Sequence, residues 1–371
     1  MHSFPLRFFV NERTRTVKRR LSTCAFALGL TVSAIAHDLP LHVPLGLPPL
    51  PASYRTVNLV VAAVGQKLFF DTRLSADGTI SCGTCHVPER QFTDGHVRAI
   101  GISAQSGTRN TPSLFNIVYS KTLFWDGRVA SLETQARLPL VNPREHALAT
   151  EEAVLAIVRK NPEYRRAFRQ SFGRKDITIN DVVTAIASYE RTLLSGSSPF
   201  DRYMYGADPR ALSDAAVRGL AIFRGRGRCD VCHTIGDNSA LLTDQSFHAS
   251  PLGLPASANA ALVELTQRVT ELHSANDISE LNSNVVSNPD IAALGRFLVT
   301  LKPQDIGLFK TPSLRNVALT GPYFHDGSVA SLNEAVDLEL YSRGDAIRYP
   351  IVLTTQEKAD LIEFLKALTG I

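Results

Sequence analysis

The chain has 371 residues, 44% of them hydrophobic and 20% charged, with mean hydropathy near zero; this excludes disordered, collagen-like and mucin-like designs and leaves room for two cores. Its 39 basic and 35 acidic residues overstate its basicity, because the first 36 residues hold six of the bases (Arg7, Arg13, Arg15, Lys18, Arg19, Arg20) and one acid, Glu12, leaving 33 against 34. A nearly neutral remainder removes the electrostatic case for a nucleic-acid or anionic-membrane partner.

Residues 1–36 read as a secretory signal: a basic stretch at Lys18, Arg19 and Arg20, an apolar run from Leu21 to Ala36, and Ala34-Ile35-Ala36 as a small-x-small cleavage site. The run is short and poorly flanked for a membrane span, and an N-terminal anchor left uncleaved is the alternative reading. The mature chain is therefore expected in the periplasm, without an integral membrane segment, and Cys24 leaves with the signal. Further on, apolar residues recur at three- and four-residue spacing over Glu151–Arg159, Asn180–Leu194, Leu212–Phe223, Ala258–His273, Leu332–Leu340 and Thr355–Leu368. Ser213-Asp214 and Thr355-Gln356 sit where helix caps belong. Strand-like alternation is scarce, so the expected fold class is mainly α. Ser195 to Pro199 reads as a linker and Gly236 to Pro251 as a loop.

An internal repeat organises the chain. TPSLFNIVYSKTLFWDGRVASLETQA (Thr111–Ala136) aligns without gaps on TPSLRNVALTGPYFHDGSVASLNEAV (Thr311–Val336), 200 residues later, with 12 of 26 positions identical. Trp125 in the first copy stands where the second has His325, and Arg128 where it has Ser328. Packing residues stay common in a duplicated scaffold, so these differences mark candidate sites of divergence.

Cys82-Gly-Thr-Cys85-His86 and Cys229-Asp-Val-Cys232-His233 both match C-x-x-C-H, the attachment signature of c-type haem. Two thiols add to the vinyl groups on one edge of the porphyrin, and the adjacent imidazole becomes the proximal iron ligand. A zinc site or redox dithiol also uses C-x-x-C; two copies in an exported chain, each followed by His, fit haem better. Four of the five cysteines are thus consumed, the fifth is in the signal, and no disulfide is expected.

With these motifs, the chain resembles the bacterial dihaem cytochrome c peroxidase family, which includes the MauG branch. The resemblance runs from about Ala62 to Ile371 and rests on Ser81 to His86, Phe92-Thr-Asp-Gly95, Arg109-Asn-Thr-Pro112, Phe124-Trp-Asp-Gly-Arg128, Gln135, Pro139, Glu145, Cys229 to His233 and Pro322-Tyr-Phe-His-Asp-Gly327. It implies two cytochrome c-like haem domains in tandem: 37–195 with a peroxide-reacting haem and 196–371 with an electron-transfer haem. It also implies one calcium ion between them, on the Asn110 side chain and the Thr320 and Pro322 carbonyls, a hard-oxygen set. Trp125 matches a tryptophan between the haems; taken alone it would read as a core aromatic. Glu145 matches the distal glutamate that moves a proton during O–O cleavage, with Gln135 and Pro139 around it, although by itself it would read as a solvated loop acid. His146 stands where relatives often carry an apolar residue.

Two departures bear on the chemistry. Many members cap the first haem with a histidine, and counting without gaps from His86 that position is Ile102, which cannot ligate iron; an open first haem follows. His96, six residues earlier, is the other candidate cap and reads as solvated after Asp94-Gly95. The second haem commonly takes a methionine on its far side, but apart from Met1 only Met204 exists, in another region. Counting from His325 puts Glu339 at that position, whereas a two-residue insertion puts Tyr341 there, in the Tyr341-Ser-Arg-Gly344 run. Tyr341 is favoured on haem chemistry, with Glu339 as the alternative. His325 itself reads as a hydrogen-bonding neighbour.

The expected activity is reduction of hydrogen peroxide to water with electrons from a small cytochrome c or cupredoxin. A MauG-like oxidase acting on a protein side chain is the alternative, and a non-catalytic dihaem electron carrier the third reading. The family includes homodimers.

Overall fold

Helix Leu59–Phe69 begins at Asn58, whose side-chain oxygen accepts hydrogen bonds from the Val60 and Val61 amides at 3.1 and 3.2 Å. It crosses helix Ile179–Glu190 at Gly65, where a Cβ would lie 1.7 Å from the Ala185 carbonyl oxygen, so only glycine permits the approach. One turn further along the two helices, Phe69 meets Tyr189 edge-to-face at 5.2 Å. The later part of the chain repeats this device. Helix Asp214–Arg224 crosses helix Thr355–Lys366 at Gly219, whose Cβ would lie 2.0 Å from the Asp360 carbonyl oxygen, and Phe223 meets Phe364 edge-to-face at 5.0 Å. A C-x-x-C-H motif follows the first helix of each pair.

The computed structural model describes residues 38–173, 176–274, 278–347 and 351–370, so the expected signal, residues 1–36, lies outside them. The fold is mainly helical, and among the described residues no helix is long and apolar enough to cross a membrane. One large apolar core draws on residues 61–193 and another on residues 200–368. A third belongs to a helical insert, Ala256–Ala260, Leu262–Ser274, Ile278–Ser287, Pro289–Ala293 and Phe297–Thr300, built on Val269, Leu272, Val285 and Leu298. Two short antiparallel ribbons complete the fold: Asp38–Pro40 with Thr56–Asn58, and Phe247–Ala249 with Leu308–Lys310.

The sequence repeat is a structural repeat. Asn116 and Asn316 both adopt left-handed backbone (φ 62° and 61°), as do Phe124 and Phe324 (65° and 66°), and the bridges Leu123–Val129 and Tyr323–Val329 correspond. Ser113 Oγ donates to the Gln91 carbonyl at 2.6 Å, and Ser313 Oγ to that of Leu241 at 2.7 Å.

Several expectations need correction. The stretch from Ser195 to Pro199 is not a loose linker: Ser195 is 1% exposed and is held by both repeat-related asparagines. Asn116 donates to the Ser195 carbonyl at 2.8 Å and Asn316 to its hydroxyl at 3.0 Å. Ser198 then caps helix Pro199–Tyr205. Ser213 caps its helix as expected, but the later cap is Thr354, in a box with Glu357, one residue ahead of the predicted pair. The 258–273 helix is broken at Ala261, and the 236–251 loop contains the strand Phe247–Ala249.

Candidate haem and peroxide site

Cys82 and Cys85 bracket a short helix opened by a reciprocal cap between Ser81 and Thr84, and His86 closes it. The His86 Nδ1 lies 2.9 Å from the Phe92 carbonyl oxygen, which can only accept, so Nδ1 carries the proton and Nε2 is left for a metal. The second motif is a 3-10 turn entered from left-handed Arg228 and lacks that cap, yet it orients its histidine alike, with His233 Nδ1 3.0 Å from the Leu242 carbonyl oxygen. Phe92 and Leu242 both have left-handed backbone (φ 58° and 56°), the bend that presents each carbonyl to its histidine. Burial pushes both thiols of the first motif up, Cys85 to about 12, unlike the depressed thiol of a redox dithiol. No disulfide joins the four cysteines.

Cys82, Cys85 and His86 line a cavity whose wall also carries Trp125, Gln135, Pro139, Glu145 and His146. Three features suit a haem there: two thiols at one edge, an imidazole with a metal-ready nitrogen, and Arg109, Arg128 and Arg144 on the wall for its carboxylates. Arg109 makes the point sharply, because its Nε and Nη1 are buried without a hydrogen-bond partner.

Glu145 reaches the cavity from a turn organised by Asn142, a residue the sequence did not mark. Asn142 closes helix Leu132–Val141; its side chain accepts from the Arg144 amide at 2.9 Å, and its carbonyl accepts from the Glu145 and Ala147 amides at 3.1 and 2.8 Å. Burial raises the Glu145 carboxyl to about 7, while Arg128 and a hydrogen bond from Asn282 pull it down. Asn282, 2% exposed, lies on the insert helix Ile278–Ser287 and also accepts from Arg128 at 2.6 and 3.2 Å. Arg128 pairs with Asp126 at 2.8 Å and lies over the Phe124 ring at 3.5 Å. Sequence reading found Glu145 and Gln135 but missed Asn282, which comes from the other end of the chain and has no local signal.

Ile102 is 5% exposed, donates its amide to the Glu145 carbonyl at 3.1 Å, and does not line the cavity, which Gly101 does. His96 is exposed and also lies off the cavity wall. His325 is 8% exposed and stacks on Phe309 at 3.7 Å; burial, then Arg109 and Arg98, drive its proton affinity down to about 2.

Trp125 is shared with a second cavity that lies between the repeats and is also lined by Asn110, Thr320, Pro322 and Lys310. The indole N–H donates to the Asn110 carbonyl at 2.9 Å, and the Lys310 amide donates to the Trp125 carbonyl at 2.9 Å. Asn110 Nδ2 donates to the His96 carbonyl at 2.9 Å, which leaves its side-chain oxygen for a cation in the cavity that Thr320 and Pro322 also line. The three predicted calcium positions thus share one cavity and suit the ion.

Helix Leu332–Ile347 carries both candidates for the second haem's far side. Val336 and Leu340 are buried in the second core, Glu339 is half-buried, and Tyr341 is 74% exposed. Their repeat counterparts behave correspondingly: Pro139 lines the first cavity and Val141 does not. The helix stays regular through Tyr341, so Glu339 is the less exposed of the two candidates, and neither lines either cavity. Met204, on helix Pro199–Tyr205, packs against the second core.

Two attachment motifs, a repeated helix crossing and a carboxylate beside an open cavity define a di-haem peroxidase of c type. The chain belongs to the di-haem cytochrome c peroxidase family, whose sequence profile matches residues 60–209. It is similar to cytochrome-c peroxidase IdrP1 of Pseudomonas sp. strain SCT, with 37% identity covering 94% of this chain and 92% of that one. It is similar also to the methylamine utilization protein MauG of Methylorubrum extorquens, with 34% identity covering 94% and 90%. Among solved structures, a MauG-like protein associated with microbial copper homeostasis superposes with a TM-score of 0.70 at 31% identity, covering 90% of this chain and 95% of that one. The protein is therefore an oxidoreductase of the cytochrome-c peroxidase type with two c-type haems implied.

Proposed function

We propose that the protein is an exported, periplasmic di-haem peroxidase that reduces hydrogen peroxide to water with electrons from a small cytochrome c or cupredoxin. The observation that carries this reading is the first cavity: a metal-ready His86, a proton-handling Glu145, and no ligand side chain from Ile102 or His96. In this reading the tandem domains 37–195 and 196–371 each hold one haem, on Cys82, Cys85 and His86 and on Cys229, Cys232 and His233. Bound there, the first haem supplies the iron at which peroxide is cleaved and the second the route by which electrons arrive. Glu145 takes a proton from entering peroxide and returns one to the departing oxygen, and Gln135 orients the substrate beside it. Trp125 relays electrons to the first cavity, and Asn110, Thr320 and Pro322 would hold one calcium ion. Two electrons and two protons then convert one peroxide into two waters. Val231, between the second pair of cysteines, is 59% exposed, which suits electron entry from a docked partner.

A MauG-like oxidase acting on a protein side chain is the second reading. It is favoured by a Leu332–Ile347 helix that carries no methionine for the second haem. Mixing the haem-loaded diferric protein with one equivalent of peroxide, without reductant, tests both. A fast Soret change shows an open first haem, and its persistence in the absence of a donor moves the assignment to the oxidase. No change until one electron is added refutes the open first haem.

A further inference from the structure

His146 is 4% exposed, follows Glu145 directly in the chain and is one of the residues lining the first cavity. Its backbone is pinned on both sides: the amide donates to the Pro139 carbonyl at 3.2 Å, and the carbonyl accepts from the Ala76 amide at 2.9 Å. The ring Nδ1 lies 2.7 Å from the Leu74 carbonyl oxygen. A carbonyl has no proton to give, so Nδ1 carries the hydrogen; burial disfavours the charged ring, and the lone pair sits on Nε2. Among the described residues no group hydrogen-bonds Nε2. An acceptor on a residue of the cavity wall, without a protein donor, is open to a ligand's hydrogen.

We propose that His146 is a second proton acceptor of the peroxide cavity, serving small acids that must lose a proton to bind ferric iron as anions. Hydrogen peroxide and hydrogen cyanide belong to this class. On entry the bond from the acid's hydrogen to oxygen or carbon breaks, the anion keeps the electron pair, and the proton goes to Nε2. The two acceptors hang from separate supports, Glu145 from Asn282 and His146 from Leu74, so losing one leaves the other in position. This inference rests on the open first haem proposed above.

The test compares haem-loaded wild type with His146→Leu and His146→Gln, using two ligands in stopped flow. Cyanide arrives as an acid and must shed a proton; nitric oxide is neutral and reports access alone. Both variants are expected to bind cyanide at least about tenfold more slowly while binding nitric oxide at the wild-type rate. His146→Gln keeps an N–H for the Leu74 carbonyl and carries the test where His146→Leu fails to fold. Unchanged cyanide rates, or equal slowing of both ligands, overturn the proposal and leave His146 a packing residue. Failure of the wild type to bind either ligand overturns the open-haem reading itself, and the proposal with it.

Discussion

Replacing Glu145 by glutamine tests the chemistry most directly. The carboxyl is raised from 4.5 to about 7, chiefly because the cavity wall strips it of water, with Arg128 and Asn282 opposing. A carboxyl accepts a proton only when ionised, so the active fraction is about half at pH 7 and falls about tenfold per unit below. The second-order rate of the diferric protein with peroxide should therefore climb with pH, bend near 7 and level off above about 8. Glu145→Gln keeps the shape and an oxygen for Asn282 but exchanges no proton; the rate should fall by about 10²- to 10⁴-fold and lose its bend. Removing Asn282 as Asn282→Leu takes away a lowering hydrogen bond, so the bend should move above pH 7. Stability carries the same signature. Between 4.5 and 7 the folded protein holds a proton the unfolded chain releases, so stability falls as pH rises across that window, and Glu145→Gln removes the slope. Stopped-flow rates from pH 5 to 8.5 decide the matter: a flat wild-type profile, or a glutamine variant within about threefold of wild type, refutes the assignment.

Glu190, 4% exposed with Oε2 unpartnered on the wall of the first cavity, is raised to about 8 by burial. The folded protein therefore loses stability as pH rises from 4.5 to 8, and Glu190→Gln should gain on the order of a few kcal/mol over wild type at pH 8 but little at pH 5, measured by urea unfolding. Arg315 and Asp201, 2% and 0% exposed, pair at 2.9 Å while Arg315 also holds the Gly46 and Ala240 carbonyls; Arg315→Met leaves the aspartate buried without its cation, held only by Ser198, and should cost about 3–5 kcal/mol in the same assay. For the second haem, Glu339→Gln should change the low-spin electron paramagnetic resonance signal and Tyr341→Phe should not; the reverse outcome restores the tyrosine.

The haem chemistry was legible because it depends on covalent spacing: two thiols and an imidazole within five residues do not need tertiary structure to be recognised. The repeat was legible for a similar reason, since left-handed positions such as Asn116 and Asn316 constrain residue type locally. Helix Leu59–Phe69 was missed because its sequence, LVVAAVGQKLF, is apolar on nearly every face and shows no period. Its Gly65, which reads locally as a breaker, is instead the crossing point with Ala185, information carried by a partner helix more than a hundred residues away. The strand Phe247–Ala249 was hidden likewise, because its pairing partner is Leu308–Lys310.

The least legible part of the site is the insert, and it alters how the two halves relate. The interval from His86 to Thr111 is short, while that from His233 to the equivalent Thr311 is lengthened by the helices of Ala256–Thr300. This added material serves the first half. Asn282 holds Glu145 and Arg128, Val285 and Val286 complete the first cavity wall, and Thr108 Oγ1 donates to the Val285 carbonyl at 2.7 Å. Arg296 reaches the carbonyls of Asp126 and Gly127, both at 3.0 Å, in the backbone that joins the Asp126–Arg128 charge pair. The proton affinity of Glu145 thus depends on an amide carried by the other repeat. A displacement of helix Ile278–Ser287 by as little as one hydrogen-bond length removes the Asn282 contact and raises that affinity. The duplicated scaffold therefore makes neither half chemically independent: the insert of the second half supplies a hydrogen bond that lowers the proton affinity of Glu145 in the first, against the burial that raises it.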